Sequence, residues 1–465
     1  MAKISIIVPY LKGPAYLEDC IQSIEDQKMD DIEVVLVDDK DGHDVPEAIL
    51  QKSFVKYVRM EDEKDVDEFY EKKGIFLEER RRKRLGMNKE EYAAYLLQKE
   101  QQKEEEEEAD DANVDNPVEG ELELPLRPFG VAAARNTGVK YATGTYLYFL
   151  DADDYLLEDA LPKLYHLAEE KQADIVTGNR YASWFRPISF DFEKAKADSE
   201  IEGIVPLEGE TLEAVLSTRF TMQHFLIRRS YYDAQGVSFD EMITFYSDVP
   251  VIAKLLAGAK GKMWVDGSSI YVWRRRNDPI HLPALSQKKR KRRTDDYIES
   301  YEKAKEEIKD AEESLQFALN RRLCRFTISK FPNRLKGAKS VRYTKNLRKI
   351  PKDQLKKIKK ELTFFHGIEL GYIVKGKYRT AKPFERLAHV MQKKRGLFGK
   401  PIQYWRFLDK HIFRKMPVKE NWVFVESFFG KSYSDSPKYL YEYLYDTYGD
   451  KYHYIWCLNK RAKEM

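Results

Sequence analysis

The sequence predicts a mixed α/β fold, and three observations carry the prediction. Short apolar runs rich in β-branched residues occur at residues 4–8, 32–37, 145–150 and 173–177, as expected of strands buried on both faces. Stretches with apolar residues at helical spacing lie between them. Two of the runs end on close carboxylates, Asp38-Asp39 and Asp151-Ala-Asp153-Asp154, at the sheet edge where ligands of open α/β proteins collect. The 465 residues suffice for two or three domains. Hydrophobic residues at 42% exclude wholesale disorder. Three widely spaced cysteines (Cys20, Cys324, Cys457) exclude a disulfide framework or a zinc site and favour a reducing compartment. No run approaches the length of a bilayer span, and the N-terminus reads as a strand rather than a signal peptide. The expectation is a soluble, intracellular chain.

Residues 4–8 form the first strand. Leu17, Cys20, Ile21 and Ile24 then recur at helical spacing, with Pro14 suited to the first turn. Residues 32–37 form a second strand, and a helix between two such runs implies parallel pairing with a right-handed crossover. Pro9, Tyr10, Asp38 and Asp39 would then border one crevice. Residues 61–124 interrupt this rhythm with 23 acidic and 11 basic residues, helix formers and few apolar anchors. They read as an exposed helical hairpin followed by a disordered acidic stretch. The alternation resumes with a helix over 130–141, a strand over 145–150, a helix over 156–168 and a strand over 173–177. Further strands are expected at 221–227 and 268–273, with a helix over 249–256, closing the domain near residue 284.

Asp151 and Asp153 lie two positions apart at the end of a buried strand. Like charges that close raise each other's pKa or recruit a cation, and oxygen-only ligands favour Mg²⁺ or Mn²⁺. The plainer alternative is a helix cap supplied by Asp153 or Asp154. Gly130-Val-Ala-Ala-Ala-Arg-Asn-Thr-Gly138, followed by Gly144-Thr-Tyr-Leu-Tyr-Phe-Leu-Asp-Ala-Asp-Asp154, resembles the family 2 glycosyltransferases of GT-A fold. Ile6-Ile-Val-Pro-Tyr10 and Val35-Leu-Val-Asp-Asp39 match that family's two earlier blocks, in the same order. The resemblance covers residues 1–284 outside the insertion. It implies a GT-A, Rossmann-like nucleotide-diphospho-sugar transferase domain, a nucleotide-sugar donor, a divalent metal (Mn²⁺ or Mg²⁺) and inversion at the anomeric carbon. It also implies roles: Pro9 and Tyr10 line the base pocket, Asp38 or Asp39 accepts a hydrogen bond from uracil, and Arg135 helps hold the donor. Asp151 touches ribose or metal, and Asp153 is the principal metal ligand. The sequence departs from the family at Leu11 and Lys40-Asp41, where Asn and Gly-Ser are usual.

Phe225-Leu-Ile-Arg-Arg-Ser230, Gly236-Val-Ser-Phe-Asp240 and Tyr246-Ser-Asp-Val249 resemble the blocks that precede the family's catalytic base. That places Asp248 in the base position, although Ser247 stands where Glu is common. Its plainer reading is again a helix cap, ahead of Val249-Pro250. Tyr271-Val-Trp-Arg-Arg-Arg276 resembles the strand that ends the catalytic domain, and Arg274 to Arg276 could meet the diphosphate or an anionic acceptor. His281 matches a position where some relatives supply a further metal contact.

Residues 286–416 hold 38 Lys+Arg against 14 Asp+Glu, a net charge of +24, with interleaved aromatics. A charge of that size speaks of partners rather than fold. Residues 285–416 are expected to be a basic, mainly helical linker that holds the protein against anionic lipid or a polyphosphate chain. Residues 417–465 look like a strand, a helix and a strand. Asn421-Trp-Val-Phe-Val-Glu-Ser-Phe-Phe-Gly430 and Tyr454-Ile-Trp-Cys-Leu458 resemble the start of CDP-glycerol glycerophosphotransferases, which build teichoic acid at the inner face of Gram-positive membranes. The match implies an incomplete second α/β unit. The expectation is therefore an inverting transferase acting on a polymeric or lipid-linked anionic acceptor, peripheral at the inner membrane face. The alternatives are the front part of a bifunctional teichoic acid enzyme and, distantly, a nucleic-acid-binding protein; no nucleic-acid module is recognisable.

Overall fold

The computed structural model describes residues 2–39, 45–62, 66–98, 129–217, 220–276, 284, 293–334, 344–399, 408, 412, 420–427, 433 and 435–457. It divides into two compact units, Met1–Glu385 and Arg386–Met465.

The first unit is built on a ten-stranded mixed sheet. Its strands are β1 (Ile4–Tyr10), β2 (Ile32–Asp38), β3 (Val55–Arg59), β4 (Tyr146–Phe149), β5 (Tyr155–Leu156), β6 (Ile175–Ser183), β7 (Lys196–Ser199), β8 (Ile204–Pro206), β9 (Phe225–Arg228) and β10 (Met263–Arg274). They run in the order 3-2-1-4-9-6-10-5, with β7 on β6 and β8 on β10. As the buried apolar runs imply, β1, β2, β3 and β4 pair in parallel, and the register sets Tyr10 beside Asp38. Strand β9 enters antiparallel between β4 and β6.

The helices α1 (Pro14–Glu25), α2 (Val66–Leu85), α3 (Val131–Tyr141), α4 (Ala160–Glu170) and α5 (Asp248–Gly258) cover this sheet or its edge. Two glycines of the recognised block have structural reasons. Gly130 precedes α3 with φ +92°, a conformation that an L side chain rarely adopts. Gly138 lets α3 lie directly on β1, since a Cβ there would fall 2.3 Å from Ile7.

Several boundaries differ from the sequence reading. Residues 155–156 pair with β10 instead of opening a helix, so α4 starts at Ala160. Asp153 and Asp154 therefore cap nothing there. Strand β10 begins five residues earlier than expected, with a bulge between Asp266 and Ile270. The region expected to be mainly helical opens with two helices, α6 (Arg293–Glu307) and α7 (Glu313–Arg334).

The basic region does not hang free of the α/β core. Tyr297, Tyr301, Leu315, Phe317, Leu323 and Phe326 of α6 and α7 are buried in the same apolar cluster as α5. Helices α8 (Lys352–Glu361) and α9 (Phe364–Val374) complete it through Ile358, Leu370 and Ile373. Part of the charged insertion is also docked. On α2, Phe69 is buried, Lys73 donates to the Glu241 and Met242 carbonyls at 2.7 Å, and Arg80 is ion-paired with Asp296 and Glu299 of α6. The acidic stretch 99–128 lies outside the described residues.

The second unit contains β11 (Trp422–Glu426) and β12 (His453–Cys457), parallel to each other, and helix α10 (Asp435–Tyr448) between them in sequence. This is the β-α-β opening that the sequence predicts.

Candidate active site

The carboxyl ends of β1, β2 and β4 lie side by side, and the acidic residues sit just beyond them. At the β1–β2 end, the Asp39 N–H donates to the Tyr10 carbonyl at 2.8 Å, and the Asp39 carboxylate accepts from the Gly130 N–H at the start of α3. The Tyr57 hydroxyl donates to Asp38 at 2.7 Å. Tyr10, Asp38 and Asp39 are buried, and Pro9 is half-buried. The structure thus gathers the four expected nucleotide-side residues at one edge.

Beyond β4, Asp151 is gripped on both oxygens. Arg135 of α3 donates to one at 2.8 Å, and the Gln223 side-chain amide donates to the other at 2.7 Å. The same guanidinium stands 3.9 Å from Asp248 at the first turn of α5. Arg135 is only 3% exposed. Burial opposes its charge, but Asp151 and Asp248 outweigh that and hold it firmly protonated. Asp248 accepts the Met222 N–H at 3.2 Å, a bond from another element rather than a cap of its own helix. Burial raises the Asp248 pKa and the Arg135 charge opposes the rise, so its carboxylate is more basic than an ordinary aspartate.

Asp153 faces a different set of groups. Its carboxylate accepts from Arg276 Nε at 2.9 Å, and its carbonyl accepts from Arg274 Nε at 2.7 Å. Burial raises its pKa, Arg276 opposes this, and the nearby Asp151 charge adds to it. Asp154 is fully buried between the Tyr271 hydroxyl and the Arg274 N–H, and burial, then Asp153 and Asp151, push its pKa well up. Arg274, foreseen as a ligand contact, is 2% exposed; its guanidinium is taken by Asp19 and the Tyr16 and Asp153 carbonyls. Arg276, over the Tyr16 ring at 5.1 Å, is the arginine of that run that faces the acidic pair.

For a divalent cation, the described residues offer Asp153 and Asp151. No cluster of three or more His, Cys, Asp or Glu in metal-holding geometry occurs among the described residues. Two carboxylates still fit Mg²⁺ or Mn²⁺, which keep several waters and take their remaining ligands from substrate phosphates. His281 lies outside the described residues.

Sequence reasoning missed Gln223 and Asn136. Gln223 sits in Thr-Met-Gln-His, with no pattern to mark it, and its Oε1 is buried without a hydrogen-bond partner among the described residues. Asn136, inside the recognised block, bonds the Phe239 N–H and carbonyl and the Glu241 carboxylate, tying α3 to the loop that leads to Asp248.

A 3-2-1-4 parallel core, an acidic pair beyond β4 and a facing carboxylate on α5 define the GT-A class of nucleotide-diphospho-sugar transferase folds. Residues 5–65 and 126–197 match the family model described as Glycosyl transferase family 2, and residues 408–465 match CDP-Glycerol:Poly(glycerophosphate) glycerophosphotransferase. The first unit therefore carries a family 2 glycosyltransferase domain. The chain is 26% identical over 288 residues to the uncharacterized glycosyltransferase EpsJ of Bacillus subtilis, covering 61% of this chain and 64% of that protein. It is 21% identical, over its whole length, to the teichoic acid poly(glycerol phosphate) polymerase of Staphylococcus epidermidis, covering 55% of that protein. The chain thus spans between half and two-thirds of these curated relatives. Among solved structures, S. aureus TarS residues 1–349 in complex with UDP-GlcNAc superposes with a TM-score of 0.53 at 17% identity, covering 83% of this chain and 92% of that one.

Proposed function

We propose that the chain is an inverting, metal-dependent glycosyltransferase that moves a sugar from a nucleotide-sugar, a UDP-sugar foremost, to a teichoic acid or capsular polymer. The observation that carries this reading is the buried Arg135 joining Asp151, at the donor edge, to Asp248 on α5. It links the donor-side carboxylate to a second carboxylate of raised basicity. In this reading Pro9, Tyr10, Asp38 and Asp39 receive the base, and Asp151 the ribose. Asp248 takes the proton from the acceptor hydroxyl as its oxygen attacks the anomeric carbon. Arg276, at the mouth beside Asp153, supplies positive charge to the diphosphate. A cation held by Asp153 and Asp151 would offset the charge that grows on the leaving diphosphate. The buried Arg135 compensates both Asp151 and Asp248, so both hold their positions before substrate arrives.

The acceptor reading draws on the polymerase of S. epidermidis, and the donor reading on the bound UDP-GlcNAc of the TarS neighbour. The basic helices support work at an anionic surface, peripheral at the inner face of the cell membrane. No helix among the described residues is long and apolar enough to cross a membrane. The match over 408–465 favours a second reading, in which the chain is the front part of a bifunctional teichoic acid enzyme. A panel of UDP-sugars and CDP-glycerol, with and without chelator, scored by released nucleotide, tests both. Chelator-sensitive UDP release is expected; release from CDP-glycerol alone would overturn the transferase reading.

A further inference from the structure

Helices α8 and α9 enclose an open groove of about 520 Å³ lined by Lys352, Lys356, Lys359, Lys360, Phe364 and Ile368. The helices are firmly seated beneath it. Ile358 and Leu370 are fully buried, and Asn320 of α7 donates to the Gln354 side chain at 2.8 Å. On another face of α8, the exposed Lys357 is paired with Glu213 at 3.0 Å. By contrast, none of the four lysines of the groove has a carboxylate partner among the described residues. Lys359 lies across the groove floor close to Gly371, where burial and then the like charge of Lys375 lower its pKa. Phe364, at the groove's edge, is 75% exposed. Cations without counter-ions around an exposed aromatic, on a rigid helical pair, form an anion-binding surface with an apolar tip.

We propose that this groove is a docking site for anionic phospholipid headgroups, with Phe364 entering the acyl boundary of the bilayer and the lysines meeting the phosphates. The inference rests on the reading of the chain as a transferase at an anionic surface, and it locates the contact. Charge alone would suit a soluble polyphosphate chain equally well. The exposed Phe364 and the apolar lining by Leu355 and Ile368 favour lipid, because a glycerol-phosphate polymer offers no hydrocarbon to bury.

Co-sedimentation of the full chain with phosphatidylglycerol and with phosphatidylcholine vesicles tests this. The triple variant Lys352→Glu/Lys356→Glu/Lys360→Glu should bind phosphatidylglycerol vesicles at least about 30-fold more weakly, given the contribution of each lysine near a charged surface. A charge-matched reversal of exposed Lys140, Lys196 and Lys260 should weaken binding less than about 3-fold, and Phe364→Ser should weaken it about 10-fold. Equal losses for the two triple variants, or none for the first, overturn the proposal. A silent Phe364→Ser together with displacement by soluble poly(glycerol phosphate) also overturns it and hands the groove to the polymer. Nucleotide release by the same variants without vesicles should match wild type. A wild-type chain that binds vesicles through the groove yet releases no nucleotide would refute the catalytic reading and leave this one standing.

Discussion

Asp151 and Asp153 stand two residues apart, yet the molecule treats them differently. Asp151, itself half-buried, is held by the buried side chains of Arg135 and Gln223, and through Arg135 it is linked to the buried Asp248. Asp153 is met by Arg276, beyond the last residue of β10, whose guanidinium also rests on an aromatic ring at the rim. The first arrangement must stay charge-balanced whether or not a ligand is bound, because an uncompensated ion in the interior is costly. The second pairs a carboxylate with a cation that another cation can replace. The two carboxylates are about equally open to solvent, at 28% and 19% of the side chain; what separates them is the depth of the partners that hold them.

The largest effect that can break this contrast is catalytic. Asp248→Asn should lower transfer about 10³-fold while donor affinity persists; ordinary transfer rates would reassign the base. The same residue gives a pH test. Its pKa is raised by burial against Arg135, and it acts as a base only when ionised. Turnover should therefore fall with an acid limb above the usual aspartate value of about 4. In stability the sign is reversed. The contribution of this group is complete below the unfolded pKa and is lost as pH rises through the folded one.

Arg135→Met should come next, destabilising the fold by about 3–5 kcal/mol in urea titration, because it strands the buried Asp248 and removes the partner of Asp151. A cost below about 1 kcal/mol would show that the network is not a structural hub. A third variant probes the contrast away from the site. Arg80→Met on α2 strands the buried Asp296 and should cost about 2–3 kcal/mol, leaving turnover unchanged. Smallest is Gly138→Ala, which presses a methyl onto Ile7 and should cost about 1–3 kcal/mol by the same titration.

How much of this could be read in the sequence follows the same divide. Strands β1, β2 and β4 were legible because burial on both faces makes them continuous apolar runs, and the acids at their ends mark the ligand edge. The start of β10 was not, because Asp266 and Gly267 interrupt its apolar run. The break between α6 and α7 carries neither Gly nor Pro to announce it. The docking of α2 was hidden because two of its anchors are cations, Lys73 and Arg80, which read as solvent-facing until their partners are known. Likewise Asp151, Asp153, Arg135 and Asp248 stood out in recognisable blocks, whereas Gln223 becomes visible only through the atom it touches.

In the proposed reaction Asp153 joins a cation to the sugar nucleotide. Calorimetric titration of UDP in the presence and absence of Mn²⁺, on wild type and on Asp153→Ala, addresses that directly. The expected result is Mn²⁺-dependent UDP binding by wild type and its loss in the variant, with unchanged thermal unfolding. Equal, Mn²⁺-independent affinity in both proteins would contradict it.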